Sequence, residues 1–230
     1  MSLRAAIRAK VTAARIEQAD STAQVAIKES AKTYFRLALD LLSPPPPALI
    51  AVGGLSGTGK SSLARVLAPF VAPVPGALIV RSDVERKHLF GINETEHLTP
   101  DAYRPEITLK VYELLADKAA RIVAAGHSVI VDAVFAKANE RAEIAKVADS
   151  AHVAFHGLFL TADLKTRLDR VGSRGLDASD AGAAIAHQQE AFALGSVEWT
   201  GIDASGSLPD TLARAREAID GNIQASTPQK

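Results

Sequence analysis

The chain has 230 residues, of which 47% are hydrophobic, enough for one sizeable α/β domain with an appendage. Its 26 Lys and Arg residues balance 26 Asp and Glu residues, so the zero formal net charge argues against a nucleic-acid or acidic-membrane partner. The absence of cysteine excludes disulfides, thiolate zinc sites and cysteine nucleophiles and fits a cytoplasmic location, and no apolar run approaches the roughly 20 residues of a membrane span.

The first part of the chain predicts a helical N-terminal arm over residues 1–43. Residues 4–42 are rich in alanine and show helical periodicity, with a break near Asp20, where Asp20 or Ser21 would cap a second helix. Four consecutive prolines, residues 44–47, end that helix and form a stiff spacer. We therefore predict a separate domain over residues 44–230.

Short apolar runs alternate with helical patterns after the prolines, which is typical of βαβ units and a parallel sheet. The predicted strands are 48–53, 77–81, 128–132, 153–160 and 199–204. The predicted helices, besides the one that follows residue 60, are 105–125, 137–149, 162–171, 178–194 and 208–222. Five strands joined by crossovers predict an α/β three-layer sandwich.

A glycine-rich motif joins the first strand to a helix. Residues Gly54 to Ser61 match G-x-x-x-x-G-K-[ST], the phosphate-binding P-loop. Glycines let backbone N–H groups face phosphate oxygens, Lys60 provides a charge for the β- and γ-phosphates, and the Ser61 hydroxyl can ligate Mg²⁺. An accidental match in a Gly-Ser linker is the alternative, but the flanking strand and helix argue against it. We predict ATP and Mg²⁺ as cofactors and the following ATP-binding residues: Gly54, Leu55, Ser56, Gly57, Thr58, Gly59, Lys60, Ser61 and Ser62.

Further polar residues follow the second strand, where ligands bind in open α/β sheets. Asp83 and Arg86 are spaced to face one side of a first helical turn. A carboxylate there can accept a proton from an attacking hydroxyl, and an arginine can hold an acceptor group or a transferring phosphoryl group. The alternative is a helix cap with a solvated arginine as its partner.

Asp132 ends the third strand opposite the P-loop. An acid in this place can hold Mg²⁺ or its waters, and an unpaired carboxylate buried there without such a role would be costly. We therefore predict Ser61 and Asp132 as the metal-binding residues. The alternative is a strand-end carboxylate satisfied by the protein itself.

The helix after the fourth strand ends in a basic segment. It carries four cations, followed by a turn rich in Gly and Asp: Lys165, Arg167, Arg170 and Arg174. Such a segment can close over ATP and place an arginine, either Arg170 or Arg174, on the γ-phosphate. A solvated basic helix face is the alternative.

With these motifs assembled, residues 44–222 resemble P-loop kinases of the nucleoside-monophosphate-kinase type. The chain is similar to predicted kinase or AAA-family ATPase domains, often fused to an aminoglycoside-phosphotransferase-like domain, and to polynucleotide 5′-hydroxyl kinase and zeta toxin kinase domains. The resemblance implies a P-loop NTPase sandwich with strand order 2-3-1-4-5. It further implies a general base at Asp83, an acceptor or phosphate contact at Arg86 and a lid arginine at Arg174.

The expected function is an ATP-dependent phosphotransferase that moves the γ-phosphate to a hydroxyl of a small-molecule acceptor, with catalytic residues Lys60, Asp83, Arg86 and Arg174. The zero net charge departs from nucleic-acid kinases. The alternative is an ATPase or nucleotide-dependent regulatory module without an acceptor. Because the arm resembles the segment that joins the two domains of the fused proteins, a further domain upstream of residue 1 is part of the hypothesis.

Overall fold

The structure, a computed structural model, describes residues 1–172, 178–180 and 182–225. The chain divides into two compact units. One comprises Met1–Pro46 with Ala72–Pro75, and the other comprises Pro47–Val71 with the residues from Gly76 onward.

The first unit is built on a pair of packed helices, α1 (Ser2–Ala13) and α2 (Ser21–Asp40), with a 3₁₀ turn at Ile16–Gln18 between them. Asp20 caps α2, because its Oδ1 accepts hydrogen bonds from the N–H groups of Thr22 and Ala23 at 3.0 and 2.9 Å. Ser2 at the start of α1 donates through Oγ to the carbonyl of Ala38 near the end of α2, at 2.8 Å. The two helices are therefore antiparallel.

The second unit contains a five-stranded parallel sheet in the order β2-β3-β1-β4-β5, which confirms the expected strand order. The strands are β1 (Ala48–Gly54), β2 (Leu78–Arg81), β3 (Val129–Asp132), β4 (Ala154–Thr161) and β5 (Thr200–Asp203). Each predicted strand has its counterpart, with ends that differ by at most one residue.

Helices connect successive strands and pack on both faces of the sheet. They are α3 (Lys60–Leu67), α4 (Ser82–Leu89), α5 (Pro105–Ala124), α6 (Ala138–Ala151), α7 (Leu164–Gly172), α8 (Ala183–Gln188) and α9 (Leu208–Ala225). Further 3₁₀ turns lie at Ala68–Phe70, Pro100–Tyr103 and Gln189–Ala191. Within the described parts of the chain, none of the helices is long and apolar enough to cross a membrane.

The single helix expected over residues 178–194 is wrong in extent. Residues 178–180 are not helical, α8 spans only Ala183–Gln188, and a 3₁₀ turn follows it. The side chains of Asp180 and Gln189 explain the difference, because both make hydrogen bonds to residues more than 70 positions away in the chain. Tertiary contacts thus override the local helical pattern.

The core consists of two apolar layers, one on each side of the sheet. Leu49 and Ala51 of β1 pack with α5 and α6, whereas Ile50 and Val52 pack with α3 and α9. This alternation follows from the two-residue period of a strand and produces helix, sheet and helix layers. The three-layer α/β sandwich is confirmed.

Trp199 fills a slot that Gly157 of β4 leaves open. A Cβ atom at Gly157 would lie only 2.4 Å from the Trp199 ring, so no larger residue fits while the indole stays in place. The same indole packs edge-on against Phe135, with 5.0 Å between ring centroids, and against Phe155 at 5.8 Å.

Because all five strands are parallel, their carboxyl ends meet at one edge of the sheet. Gly54 of β1, Arg81 of β2 and Asp132 of β3 end their strands there. This edge therefore brings the P-loop, which starts at Gly54, together with Asp132 and with Asp83, which follows β2.

Candidate active site

The predicted P-loop lies between β1 and α3. Gly57 has a φ of +86°, and a Cβ atom there would lie 2.5 Å from the carbonyl oxygen of Arg167, so only glycine fits. The Leu55 carbonyl accepts hydrogen bonds from Thr58 Oγ1 at 2.8 Å and from Lys60 Nζ at 3.1 Å. The loop is thus held in a fixed, tightly packed turn.

A cavity of about 630 Å³ opens beside this loop at the carboxyl edge of the sheet. Its walls include five residues that the sequence predicted to carry the chemistry: Lys60, Ser61, Asp83, Arg86 and Asp132. Of the predicted P-loop residues, Ser56, Gly57, Gly59 and Ser62 also line it. Arg174 lies outside the described residues.

Ser61 and Asp132, which line the cavity, form one hydrogen-bonded cluster with Arg81. Ser61 Oγ donates to Asp132 Oδ2 at 2.5 Å, and Arg81 Nη2 donates to Ser61 Oγ at 3.1 Å. Arg81 Nε lies 3.4 Å from Asp132 Oδ2, since the two residues are partners in the β2–β3 register. The hydroxyl and carboxylate oxygens are suitable Mg²⁺ ligands, and the Arg81 guanidinium partly neutralises the carboxylate.

Asp83, in the first turn of α4, is a half-buried carboxylate. Burial raises the pKa of Asp83, and the negative charge of Asp132 raises it further. The positive charge of Lys60 and a hydrogen bond with Ser179 oppose this rise without cancelling it. Asp83 is therefore a stronger base than an ordinary aspartate and faces the same cavity as the P-loop lysine.

Arg86 lies buried in the wall of the cavity, beside the turn at residues 100–103. Its Nη1 donates to the carbonyl of Ala102 at 2.6 Å and to Thr108 Oγ1 at 3.3 Å, and its guanidinium stacks 4.8 Å from the ring centre of Tyr103. Burial lowers the pKa of Arg86 from its usual range. These contacts tie α4 to the following wall while Arg86 also borders the cavity.

Asp180 connects the segment after α7 to that same wall. Its carboxylate accepts hydrogen bonds from Leu98 N at 3.1 Å and Tyr103 OH at 2.8 Å, and lies 3.1 Å from Lys87 Nζ and His97 Nδ1. Burial opposes ionisation, but these hydrogen bonds outweigh it and lower the pKa of Asp180. Asp180 did not stand out in the sequence, because its four partners lie 77 to 93 residues earlier.

Two basic residues of α7, Arg167 and Arg170, contact the P-loop. Arg167 is 2% exposed, and its Nε donates to the carbonyl of Ser56 at 2.8 Å. Arg170 donates through Nη2 to the carbonyl of Gly206 at 2.9 Å and through Nη1 to that of Thr58 at 3.4 Å. A solvated basic face is therefore wrong for Arg167, which is a structural support of the loop.

Sequence reasoning also missed Arg81 and Gln189. Arg81 ends a strand whose neighbour ends in Asp132, a signal that becomes readable once the strand order is known. Gln189 accepts a hydrogen bond from Ser56 N at 2.6 Å, and no spacing in the sequence connects two residues 133 positions apart.

Comparisons with known proteins agree with this geometry. Residues 49–194, more than half of the chain, match the AAA domain family, and the chain belongs to that family. An uncharacterized protein of Mycobacterium tuberculosis is 31% identical over 222 residues, which cover 94% of this chain and 42% of that protein. The chain thus spans less than half the length of the curated relatives it matches.

Two solved structures show the same fold at low sequence identity. A gluconokinase from Sinorhizobium meliloti has a TM-score of 0.52 at 21% identity, covering 78% of this chain and 98% of its own. The APS kinase of Mycobacterium tuberculosis, solved with AMPPNP and APS, has a TM-score of 0.51 at 22% identity, covering 77% and 98%. The chain therefore shares its fold with these two kinases.

Proposed function

We propose that the protein is an ATP-dependent phosphotransferase that moves the γ-phosphate to a hydroxyl group of a small-molecule acceptor. One observation carries this proposal: the P-loop residues Lys60 and Ser61 and the basic carboxylate of Asp83 border a single cavity of about 630 Å³. A cavity of this size accommodates a nucleotide tail together with a small acceptor. The kinase fold of the structural relatives supports the same reaction class.

In this proposal the P-loop amides and Lys60 hold the triphosphate. Ser61 and Asp132 would hold Mg²⁺, which supplies charge neutralisation on the phosphate oxygens when bound. Arg81 keeps both ligand side chains together, since it contacts each of them.

Asp83 orients the acceptor hydroxyl and accepts its proton as the oxygen attacks the γ-phosphorus. The new bond joins the acceptor oxygen to phosphorus, the bond to the bridging oxygen breaks, and ADP leaves with the electron pair. Arg86 forms the acceptor wall through its contacts with Ala102 and Thr108. An arginine at position 174 would contact the transferring phosphate.

The location and domain proposals rest on separate grounds. The absence of cysteine supports a cytoplasmic protein. Because this chain covers only 42% of a longer relative, we propose that the whole protein has a further domain, and that the arm, residues 1–43, joins it to the kinase domain over 44–230.

The proposal is tested by incubating the protein with γ-labelled ATP and Mg²⁺ and a panel of sugars, polyols, aminated sugars, nucleosides and a 5′-hydroxyl oligonucleotide. Label should move to a small hydroxyl compound and not to the oligonucleotide. ATP hydrolysis with no labelled product on any acceptor would instead support the regulatory ATPase. Absence of nucleotide binding would refute both.

A further inference from the structure

Gln189 is a buried glutamine in contact with the P-loop. Only 6% of it is exposed, and its side chain borders the cavity. Its Oε1 accepts the hydrogen bond of Ser56 N at 2.6 Å. Since a backbone N–H only donates, the amide atom that faces Ser56 has to be the oxygen.

This bond fixes the direction of the opposite side of the carboxamide. A carboxamide is planar, so its NH₂ group is oriented once Oε1 is held. Within residues 1–172, 178–180 and 182–225, that NH₂ group donates a hydrogen bond to no protein atom. It is not completely buried, so a ligand can reach it. Gln189 therefore offers two oriented N–H donors at the edge of the cavity.

The loop that carries these donors is rigidly supported. Arg167 donates to the carbonyl of Ser56 at 2.8 Å and to that of Ala186 at 3.1 Å, and it pairs with the carboxylate of Glu190. Both backbone polar groups of Ser56 are thus held, the N–H by Gln189 and the carbonyl by Arg167 of α7, which is itself bonded to the residues on either side of Gln189. Donors fixed before binding lose little freedom when a ligand arrives.

Gln189 and Asp83 border the same cavity from segments that follow different strands. Gln189 follows β4 and Asp83 follows β2, and these strands lie on opposite sides of β1, which carries the P-loop. Lys60 of a P-loop reaches the β- and γ-phosphates. The terminal phosphate of a bound triphosphate would then lie between Asp83 and Gln189.

We infer that the Gln189 carboxamide donates a hydrogen bond to an oxygen of the γ-phosphate and makes the cavity selective for a triphosphate over a diphosphate. This inference rests on the proposed function. It assigns to Gln189 a ligand-binding role in addition to its bond with the loop. If Gln189 only supported the loop, its replacement would weaken the binding of both nucleotides equally. A selective loss of triphosphate affinity therefore distinguishes the two roles.

The test measures the affinities of AMPPNP·Mg²⁺ and ADP·Mg²⁺ by isothermal titration calorimetry for the wild type and for Gln189→Glu. Glutamate keeps an oxygen for Ser56 N but replaces the donors by a negative charge. We expect AMPPNP to bind on the order of ten- to a hundredfold more weakly, the size of a lost charge-assisted hydrogen bond, and ADP to change less than about threefold. Ala191→Glu is the matched control, because it places the same charge two residues away, at an exposed position that does not border the cavity.

Equal losses for both nucleotides, no loss, or the same loss in Ala191→Glu would overturn the inference while leaving the proposed function standing. A wild type that binds neither nucleotide would overturn the proposed function and the inference with it. Retained ADP binding shows that the variant is folded. If Gln189→Glu does not fold, Gln189→Met serves in its place: it should lower the ratio of AMPPNP to ADP affinity by about tenfold, and an unchanged ratio would overturn the inference.

Discussion

Replacing Asp83 by asparagine removes the proposed base without changing the size of the side chain. The carboxamide oxygen can still accept the hydrogen bond that Ser179 makes with Asp83. It cannot take a proton from the acceptor hydroxyl. The variant therefore separates proton transfer from substrate placement.

The expected loss in phosphoryl transfer is about a hundredfold or more, the usual contribution of a general base, which corresponds to about 2.7 kcal/mol in the barrier. ATP affinity should stay near the wild-type value, because the P-loop is unchanged. In the wild type, kcat/KM should fall with decreasing pH as Asp83 becomes protonated, at a pKa above the ordinary aspartate value of 3.8. The variant should lack this acidic limb of the pH profile. The assay is transfer of labelled phosphate to the best acceptor of the screen.

The same substitution should not destabilise the fold. Because the pKa of Asp83 is higher in the folded than in the unfolded chain, its contribution to stability is present below pH 3.8 and is lost as the pH rises through the raised value. Asp83→Asn should therefore unfold at an equal or higher temperature than the wild type at pH 7.

Asp149→Asn, at an exposed position of α6, is the matched control and should leave both properties unchanged. Wild-type turnover in Asp83→Asn would remove Asp83 from the mechanism. A marked decrease in melting temperature at pH 7 would contradict the electrostatic argument.

Three further substitutions test other parts of the molecule. Lys60→Ala should weaken ATP binding at least tenfold in calorimetry, since a charge-assisted phosphate contact is lost, and wild-type affinity would disprove the P-loop assignment. Asp180→Ala should lower the free energy of unfolding by about 3 kcal/mol in urea titrations, because the ammonium group of Lys87, only 1% exposed, loses its carboxylate partner. Equal stability would show that the hydrogen bond to the Glu94 carbonyl is enough to stabilise the buried Lys87. Burial lowers the pKa of His156 below 6.5, so the free energy of unfolding of the wild type should decrease as the pH falls below that value. His156→Leu should lose less stability between pH 7 and pH 5. The same dependence of unfolding free energy on pH in both proteins would refute this prediction.

The parts of the fold that the sequence predicted are those with strong local signals. The P-loop combines a fixed spacing with a buried strand before it and a helix after it, and Asp132 stands at the end of an unbroken apolar run. Their meeting at one edge follows from the parallel sheet, whose strand order came from the family resemblance rather than from the pattern itself.

The parts that the sequence did not predict depend on contacts between distant residues. Asp180 looks like one more acid in a polar turn, and Gln189 looks like one position of a continuous helix. Their roles arise from side-chain hydrogen bonds to residues 98 and 56, and local periodicity contains no information about such pairs. Arg86 is a further example of a role that the sequence predicted only in part. Its spacing from Asp83 indicated a phosphate contact but not the hydrogen bond to the Ala102 carbonyl.

Because the indole of Trp199 occupies the space beside Gly157, positions 157 and 199 should co-vary among homologues. A homologue with alanine or serine at the first position has to carry a smaller ring or an aliphatic residue at the second. Such an exchange would also remove a neighbour of Phe135, three residues beyond Asp132, and so disturb the loop that leaves β3. A mutation hidden on β4 can in this way reach Val134 and Ala136, the cavity-lining neighbours of Phe135, without any cavity-lining residue being replaced.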